Sequence, residues 1–218
     1  KYDEWKDDKV MINDVMRFLD NVLTDFIDRA PEQFDDAKYS AEKERSVGLG
    51  VMGFHSYLQQ HSIPLESVMS KVWNKKIFKH IQEHVDQASK DLADERGPCP
   101  DAADYGYNER FSNKTAIAPT ASISIICGGA SPGVEPVAAN SYTHKTLSGS
   151  FNVRNRYLVE LLEKRGENTE EVWSGITTNQ GSVSHLDFLT DLEKDVFKTA
   201  FELDQKWIIE LSGDRTPF

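Results

Sequence analysis

Between residues 113 and 136 the chain cannot run as one regular element. Asn-Lys-Thr-Ala-Ile-Ala-Pro-Thr-Ala-Ser-Ile-Ser-Ile-Ile-Cys-Gly-Gly-Ala-Ser-Pro-Gly-Val-Glu-Pro contains prolines that remove backbone donors and glycines that accept backbone forms other residues avoid. Apart from Lys114 and Glu135 it holds no long charged side chain. Ala116, Ile117 and Ala118 suggest a short buried strand that Pro119 ends, and Thr120, Ala121, Ser122, Ile123 and Ser124 then alternate hydroxyls with small or apolar groups. Such a turn can aim several N–H groups and hydroxyls at one point, as a phosphate requires. It can equally be a buried turn whose hydroxyls satisfy their own backbone, and residue chemistry alone favours that second reading. Gly128 to Gly133 form a bend open to close backbone approach, and Pro136 holds Glu135 in extended backbone.

The flanks read as helices. Met11, Val15, Phe18, Leu19, Val22, Leu23, Phe26 and Ile27 recur at helical steps, predicting a helix over 9–29 with that face buried. A polar link over 32–45 follows, dense in Asp, Glu and Lys. A long helix over 66–96 carries Val68, Val72, Trp73, Ile77, Ile81, Val85, Ala88 and Leu92, with Gly97-Pro98 as its stop. Residues 97–112 read as loop and 141–146 as strand. Further helices are expected over 152–165, closed by Gly166, and over 191–211, closed by Gly213, with a short helical turn from Thr169. No internal repeat or low-complexity segment is present.

Three strings invite chemistry and fail on context. Gly48-Leu49-Gly50-Val51-Met52-Gly53 matches the dinucleotide fingerprint G-x-G-x-x-G, but Ala41 to Arg45 before it form no hydrophobic strand. Glycines that let a helix pack tightly explain it better. His80-Ile81-Gln82-Glu83-His84 reproduces a zinc-peptidase string, and a zinc hydrolase would need a third ligand that no segment evidently supplies. Cys99, between two prolines, has no nearby base to activate it and reads as structural.

Composition narrows the partners. A formal net charge of −11 over 218 residues argues against a general nucleic-acid or anionic-membrane surface. With two cysteines, no spanning apolar run and no signal pattern, a reduced cytoplasmic setting is expected. The chain opens on Lys1 and closes without an evident tail, so a piece of something longer is expected.

Two stretches together stop being generic. Val47 to Phe54 after an Arg, and Asn113 to Pro136 with Ala-Pro-Thr-x-Ser-Ile-Ser and Gly-Ala-Ser-Pro-Gly-x-Glu-Pro, resemble the ribonucleotide reductase large (catalytic) subunit. Gly97-Pro98-Cys99-Pro100 fits the same family in order and separation. The resemblance implies an α/β, helix-rich fold, 1–218 being a single domain that forms the carboxy-terminal part of a ten-stranded α/β barrel. It implies that Thr120, Ala121, Ser122 and Ile123 bind the diphosphate of a ribonucleoside diphosphate, reversing the preference for a merely buried turn. It also implies that the radical cysteine, its neighbours and the reducing cysteine pair lie outside this chain, matched by neither Cys99 nor Cys127. No catalytic residue and no metal ligand are therefore assigned here, and the isolated chain is expected to be inactive. The family's partners are the remainder of the catalytic subunit and a small radical-generating subunit. Phe201 to Glu210 and Asp214-Arg215 look more like class I, in which that small subunit carries a dinuclear metal; this chain itself would hold no cofactor. Self-association into a homo-oligomer is also expected. The alternative is a non-catalytic helical interaction module.

Overall fold

The computed structural model describes residues 1–147 and 149–218. The chain begins with α1 (Tyr2–Trp5) and α2 (Met11–Arg29). Asp8 Oδ1 starts α2 by accepting from the Val10 and Met11 amides at 3.0 and 3.2 Å, and Pro31 follows its end. A 3₁₀ turn (Glu32–Phe34) leads into α3 (Asp35–Glu44), so the polar link is helical rather than loop. Next come α4 (Phe54–Gln60) and α5 (Val68–Arg96); Gly97, at φ 85°, closes α5 with its N–H on Ala93 O. The expected loop after it contains α6 (Pro100–Asp104), which Pro100 opens at the first helical position, and α7 is the short helix Ile123–Ile126.

β1 (Ser141–Thr146) and β2 (Gly149–Arg154) form an antiparallel hairpin in which Tyr142 faces Val153 and His144 faces Phe151. The helix expected from 152 therefore starts later, as α8 (Arg156–Arg165), where Asn155 accepts from the Tyr157 amide. α9 (Glu170–Thr178) is capped by Thr169, and α10 (Asp191–Val196) by a reciprocal Thr190/Glu193 box. α11 (Gln205–Arg215) follows, with Gly213 inside it rather than after it. The single helix expected over 191–211 is thus two. Between them the Glu202 carboxylate accepts from the Thr199 amide (2.8 Å) and hydroxyl (2.9 Å), and Asp204 caps Lys206. Side-chain bonds to the backbone here outcompete helix continuation.

The residues group into two compact units, Lys1–Gly50 with Lys76–Ile117 and Phe218, and Val51–Lys75 with Ala118–Pro217. In the first, Met16, Val85, Leu92, Cys99 and Phe111 are fully buried. The buried side of α2 is Ile12, Met16, Asp20 and Ile27, whereas Phe18, Val22 and Phe26 are exposed, against expectation. The apolar arc of α2 is too wide for one seat, and the side chosen carries Asp20. Its carboxylate is 0% exposed and receives Arg45 Nε and Nη2 (3.0 and 2.7 Å), Arg110 Nε (2.9 Å) and Arg96 Nη1 (2.8 Å). A buried charge survives only when paired in this way.

The second unit has its core in Leu158, Leu162, Trp173, Ile176, Val183 and Val196. Beside it, Asn140 is buried and donates through Nδ2 to Gly181 O and Phe197 O at 2.9 and 2.7 Å, satisfying both carbonyls. Among the described residues the extended structure is the hairpin and one isolated parallel bridge, Leu49 to Thr115. No helix is long and apolar enough to cross a membrane among those residues.

Candidate functional site

The two stretches that look generic singly are built into the chain by close backbone approach. In the first unit, Val47 N donates to Asn113 O (2.9 Å), Leu49 N to Lys114 O (3.0 Å) and Ala116 N to Leu49 O (3.1 Å). A Cβ on Gly48 would lie 2.8 Å from Ala116 Cβ, and one on Gly50 would lie 2.6 Å from Ala116 O. The glycines therefore seat one extended segment against another, not a helix as expected, and they cradle no dinucleotide. Nor is 116–118 buried: paired on one edge only, its Ile117 is 60% exposed.

In the second unit the bend is fastened to the start of α4. Gly53, at φ 82°, takes the left-handed form at the N-cap and donates to Ser131 O at 2.8 Å. Ser56 and Ser131 exchange bonds: Ser56 N donates to Ser131 Oγ (3.1 Å) and Ser131 N to Ser56 Oγ (2.8 Å). Buried His55 accepts from Val137 N at Nδ1 (3.1 Å), which places its proton on Nε2, and burial pushes its pKa down to about 4. At the entrance of the bend Thr120 adopts φ 52°, uncommon for a residue with a Cβ, and its Oγ1 accepts from Gly133 N at 2.7 Å. Gly133 is itself at φ 43°, where a Cβ would stand 2.7 Å from Ala118 O.

Inside this frame most donors are spoken for. Ser124 N reaches Thr120 O, Cys127 N reaches Ile123 O, Gly128 N and Gly129 N share Ile125 O, and Ala130 N reaches Ser124 O. The exceptions are the amides of Thr120, Ile125 and Val134 and a consecutive run on the exposed side. The amides of Ala121, Ser122 and Ile123, all exposed residues, donate to no described residue. Those of Ser122 and Ile123 are orphan donors at the start of α7, Ala121 standing just before its N-cap, and Ser122 makes no side-chain cap that would use them. The Thr120 hydroxyl accepts once and keeps its own proton to give. Three sequence-derived candidates thus lie side by side with free amides, and the fourth, Thr120, sets the turn. Oriented N–H groups in this arrangement attract an anion without any cation in the loop. His55, Ser56 and Ser131, which hold the bend, escaped the sequence reading: buried polar pairing between distant positions leaves no periodic trace.

The other strings give no chemistry. His80 Nδ1 pairs with Tyr2 Oη at 2.9 Å, and a His84 ring nitrogen with the His80 carbonyl at 2.9 Å. Among the described residues no three His, Cys, Asp or Glu side chains are grouped to hold a metal. Cys99 is buried and Cys127 exposed.

Comparison with known proteins matches this chain to the family profile described as ribonucleotide reductase, barrel domain, over residues 2–109 and 102–218. The chain belongs to the ribonucleotide reductase barrel-domain family. Its members include the ribonucleoside-diphosphate reductase large subunit of Invertebrate iridescent virus 6, 48% identical over 100% of this chain and 23% of the relative. The same-named subunit of Invertebrate iridescent virus 3 is 45% identical over 98% of this chain and 34% of its own length. Among solved structures, the Actinobacillus ureae class Id ribonucleotide reductase alpha subunit superposes with a TM-score of 0.89 at 39% identity, covering 98% of this chain and 39% of that one. The chain therefore spans between about a quarter and two-fifths of the reductase subunits it matches. For a reductase barrel domain, the bend at 119–136 and the glycine segment at 47–54 are the two stretches through which the sequence announces its family.

Proposed function

We propose that this chain is part of the catalytic subunit of a ribonucleoside-diphosphate reductase and supplies its substrate-diphosphate loop. Thr120, Ala121, Ser122 and Ile123 hold the diphosphate through main-chain N–H groups and hydroxyls, and so fix where the ribose lies. Fixed amides need no reorganisation as the anion arrives, which is how a site with little positive charge still binds phosphate. The observation that carries the reading is the run of three exposed amides, at Ala121, Ser122 and Ile123, free of described partners. In this reading the 218 residues are one domain's share of a ten-stranded α/β barrel. The radical and reducing thiols come from the remainder of the catalytic subunit. The oxidising equivalent comes from a small partner subunit of the dinuclear-metal type, so this polypeptide alone forms no deoxynucleotide.

Titration of a ribonucleoside diphosphate into the isotopically labelled chain tests the loop. The amide signals of Ala121, Ser122 and Ile123 should move together and saturate, and inorganic pyrophosphate should compete. Signals that stay fixed up to millimolar ligand, while the fold is intact, contradict the assignment. Turnover by the isolated chain with reductant and a radical-generating partner would contradict its dependence on residues elsewhere.

A further inference from the structure

The hairpin of β1 and β2 stands open in the second unit. Side chains alternate across its faces: one carries Tyr142, His144, Phe151 and Val153, the other Thr143, Lys145 and Arg154. Tyr142 and Phe151 are exposed, and Leu147 at the turn is fully so. A two-stranded ribbon is marginal in water by itself and gains stability from a third strand or a packed face. The bonds that tie this one to α9 lie at its base, where the hydroxyls of Ser141 and Thr177 meet at 2.9 Å and Arg154 pairs with Glu170 at 2.7 Å.

Its backbone has a definite phase. Asn155 N donates to Asn140 O at 2.8 Å, so these two form a hydrogen-bonded pair. By alternation so do Tyr142 with Val153 and His144 with Phe151. The pairs between them, Thr143 with Asn152 and Lys145 with Ser150, turn their N–H and C=O groups outward. No described residue meets those outward amides. Thr143 and Lys145 are both exposed, so β1 offers two donors and two acceptors at the spacing of a neighbouring strand. Charge says which strand fits. Residues 136–159 hold Lys145, Arg154 and Arg156 and neither Asp nor Glu, although the chain carries −11 overall. Arg154 is engaged by Glu170, whereas Lys145 meets no described carboxylate. A lysine on an open edge deters another basic strand, and a second copy of this hairpin would bring only cations.

We propose that the outer edge of β1 takes up an extended segment of another protein chain as a third strand, one in which acidic and apolar residues alternate. Main-chain bonds to Thr143 and Lys145 hold the segment. Its acidic side chains lie on the face of Lys145, and its apolar ones lie beside Tyr142 and His144, extending the face that Phe151 and Val153 continue. A slip of one residue would set the acids against Tyr142 and leave Lys145 facing apolar groups, so the alternation fixes the register. A nucleic acid meets the charge but offers no ladder of N–H and C=O groups. The inference does not depend on the diphosphate reading of the bend, because the two use different residues.

The probe is a short end-blocked peptide alternating Glu with Val. It is compared with its block isomer, all Glu before all Val, and with a peptide alternating Lys with Val, each added to the isotopically labelled chain. The alternating acidic peptide should bind saturably, move the amide signals of Thr143 and Lys145 and slow their hydrogen exchange, while those of Ala121 to Ile123 stay in place. Lys145→Glu should weaken it about fivefold at low salt, the scale of one exposed ion pair, and should admit the basic peptide instead. Thr143→Pro removes an amide that the hairpin itself does not use, and should abolish binding with β1 and β2 still paired. Equal binding by the block isomer or by an oligonucleotide means that charge alone acts, and overturns the proposal. So does protection of the Thr143 and Lys145 amides before any peptide is added, or the lack of saturable binding while the hairpin is intact.

Discussion

Replacing Asp20 by Asn should be among the most damaging single-atom changes available in this chain. The carboxylate is 0% exposed, whereas the Arg45 and Arg110 side chains retain 9% and 11% exposure, so neither guanidinium can turn to water without moving the backbone. Four charge-assisted bonds converge on it, from Arg45 (two), Arg110 and Arg96. An amide keeps the shape but removes the counter-charge, leaving buried cations facing one another. Breaking a buried pair from one side costs about 3–5 kcal/mol, and each kcal/mol lowers Tm by about 2–4 °C for a chain of this length. Urea unfolding followed by circular dichroism reads the loss directly, at unchanged m-value. The internal control is Glu95→Gln. Glu95 receives both Arg17 nitrogens at 2.7 Å but is 49% exposed, so water replaces what is lost and the effect should be far smaller. The acid limb gives a second readout. Burial alone would raise the Asp20 pKa, but hydrogen bonds from Arg110, Arg96 and Arg45 outweigh it and hold the group below its ordinary value. Its stabilisation is therefore fully present above the unfolded carboxylate pKa of about 3.9 and is lost as pH falls through the folded value. Asp20→Asn should lack that limb. A loss below about 1 kcal/mol for Asp20→Asn, the scale of exposed pairs, would refute the reasoning.

Other outcomes follow from the second unit. Burial holds His55 at about 4, so the unfolded chain takes up this proton first; stability is complete above about 6.5 and falls by about 3 kcal/mol on the way down to the folded value. Ring ¹⁵N shifts that titrate near 6.5 would contradict this. Gly133→Ala puts a Cβ 2.7 Å from Ala118 O at φ 43° and should cost about 1–3 kcal/mol; in the labelled variant the amide signals of 121–123 should also lose their common response to diphosphate. Thiol titration of the native chain should modify Cys127 quickly and Cys99 only after denaturant is added, because the former is exposed and the latter buried. Two fast thiols would place Cys99 wrongly.

What the sequence disclosed depended on whether a residue's role was local. The body of α5 was legible because Ile77, Ile81, Val85, Ala88 and Leu92 repeat at helical steps and are all buried. The extent of α2 was legible, but not its inner face, since the choice rests on arginines 25, 76 and 90 positions from Asp20. β2 was missed because its side chains are exposed or half-buried, so no alternating apolar pattern betrays it. The break between α10 and α11 turns on the grip of Glu202 on Thr199, which a hydrophobic period does not register. At the candidate site, residue chemistry marked 120–124 as a turn and favoured a merely buried one, and only the family resemblance singled out 120–123 as an expected diphosphate loop. The turn that frees their amides depends on Thr120 at positive φ and on Gly133, neither of which announces its partner in the letters.

The paired serines that clamp the bend stand 75 positions apart. A ribosome delivers the earlier half first, at about 5–20 residues per second, so α4 emerges and waits several seconds for the segment that will lock onto it. During that interval Phe54 and Leu58, nearly or wholly hidden in the finished molecule, stand bare to the cell. Impaired synthesis, and not only impaired binding, is the expected burden of any change that slows the meeting of those two serines.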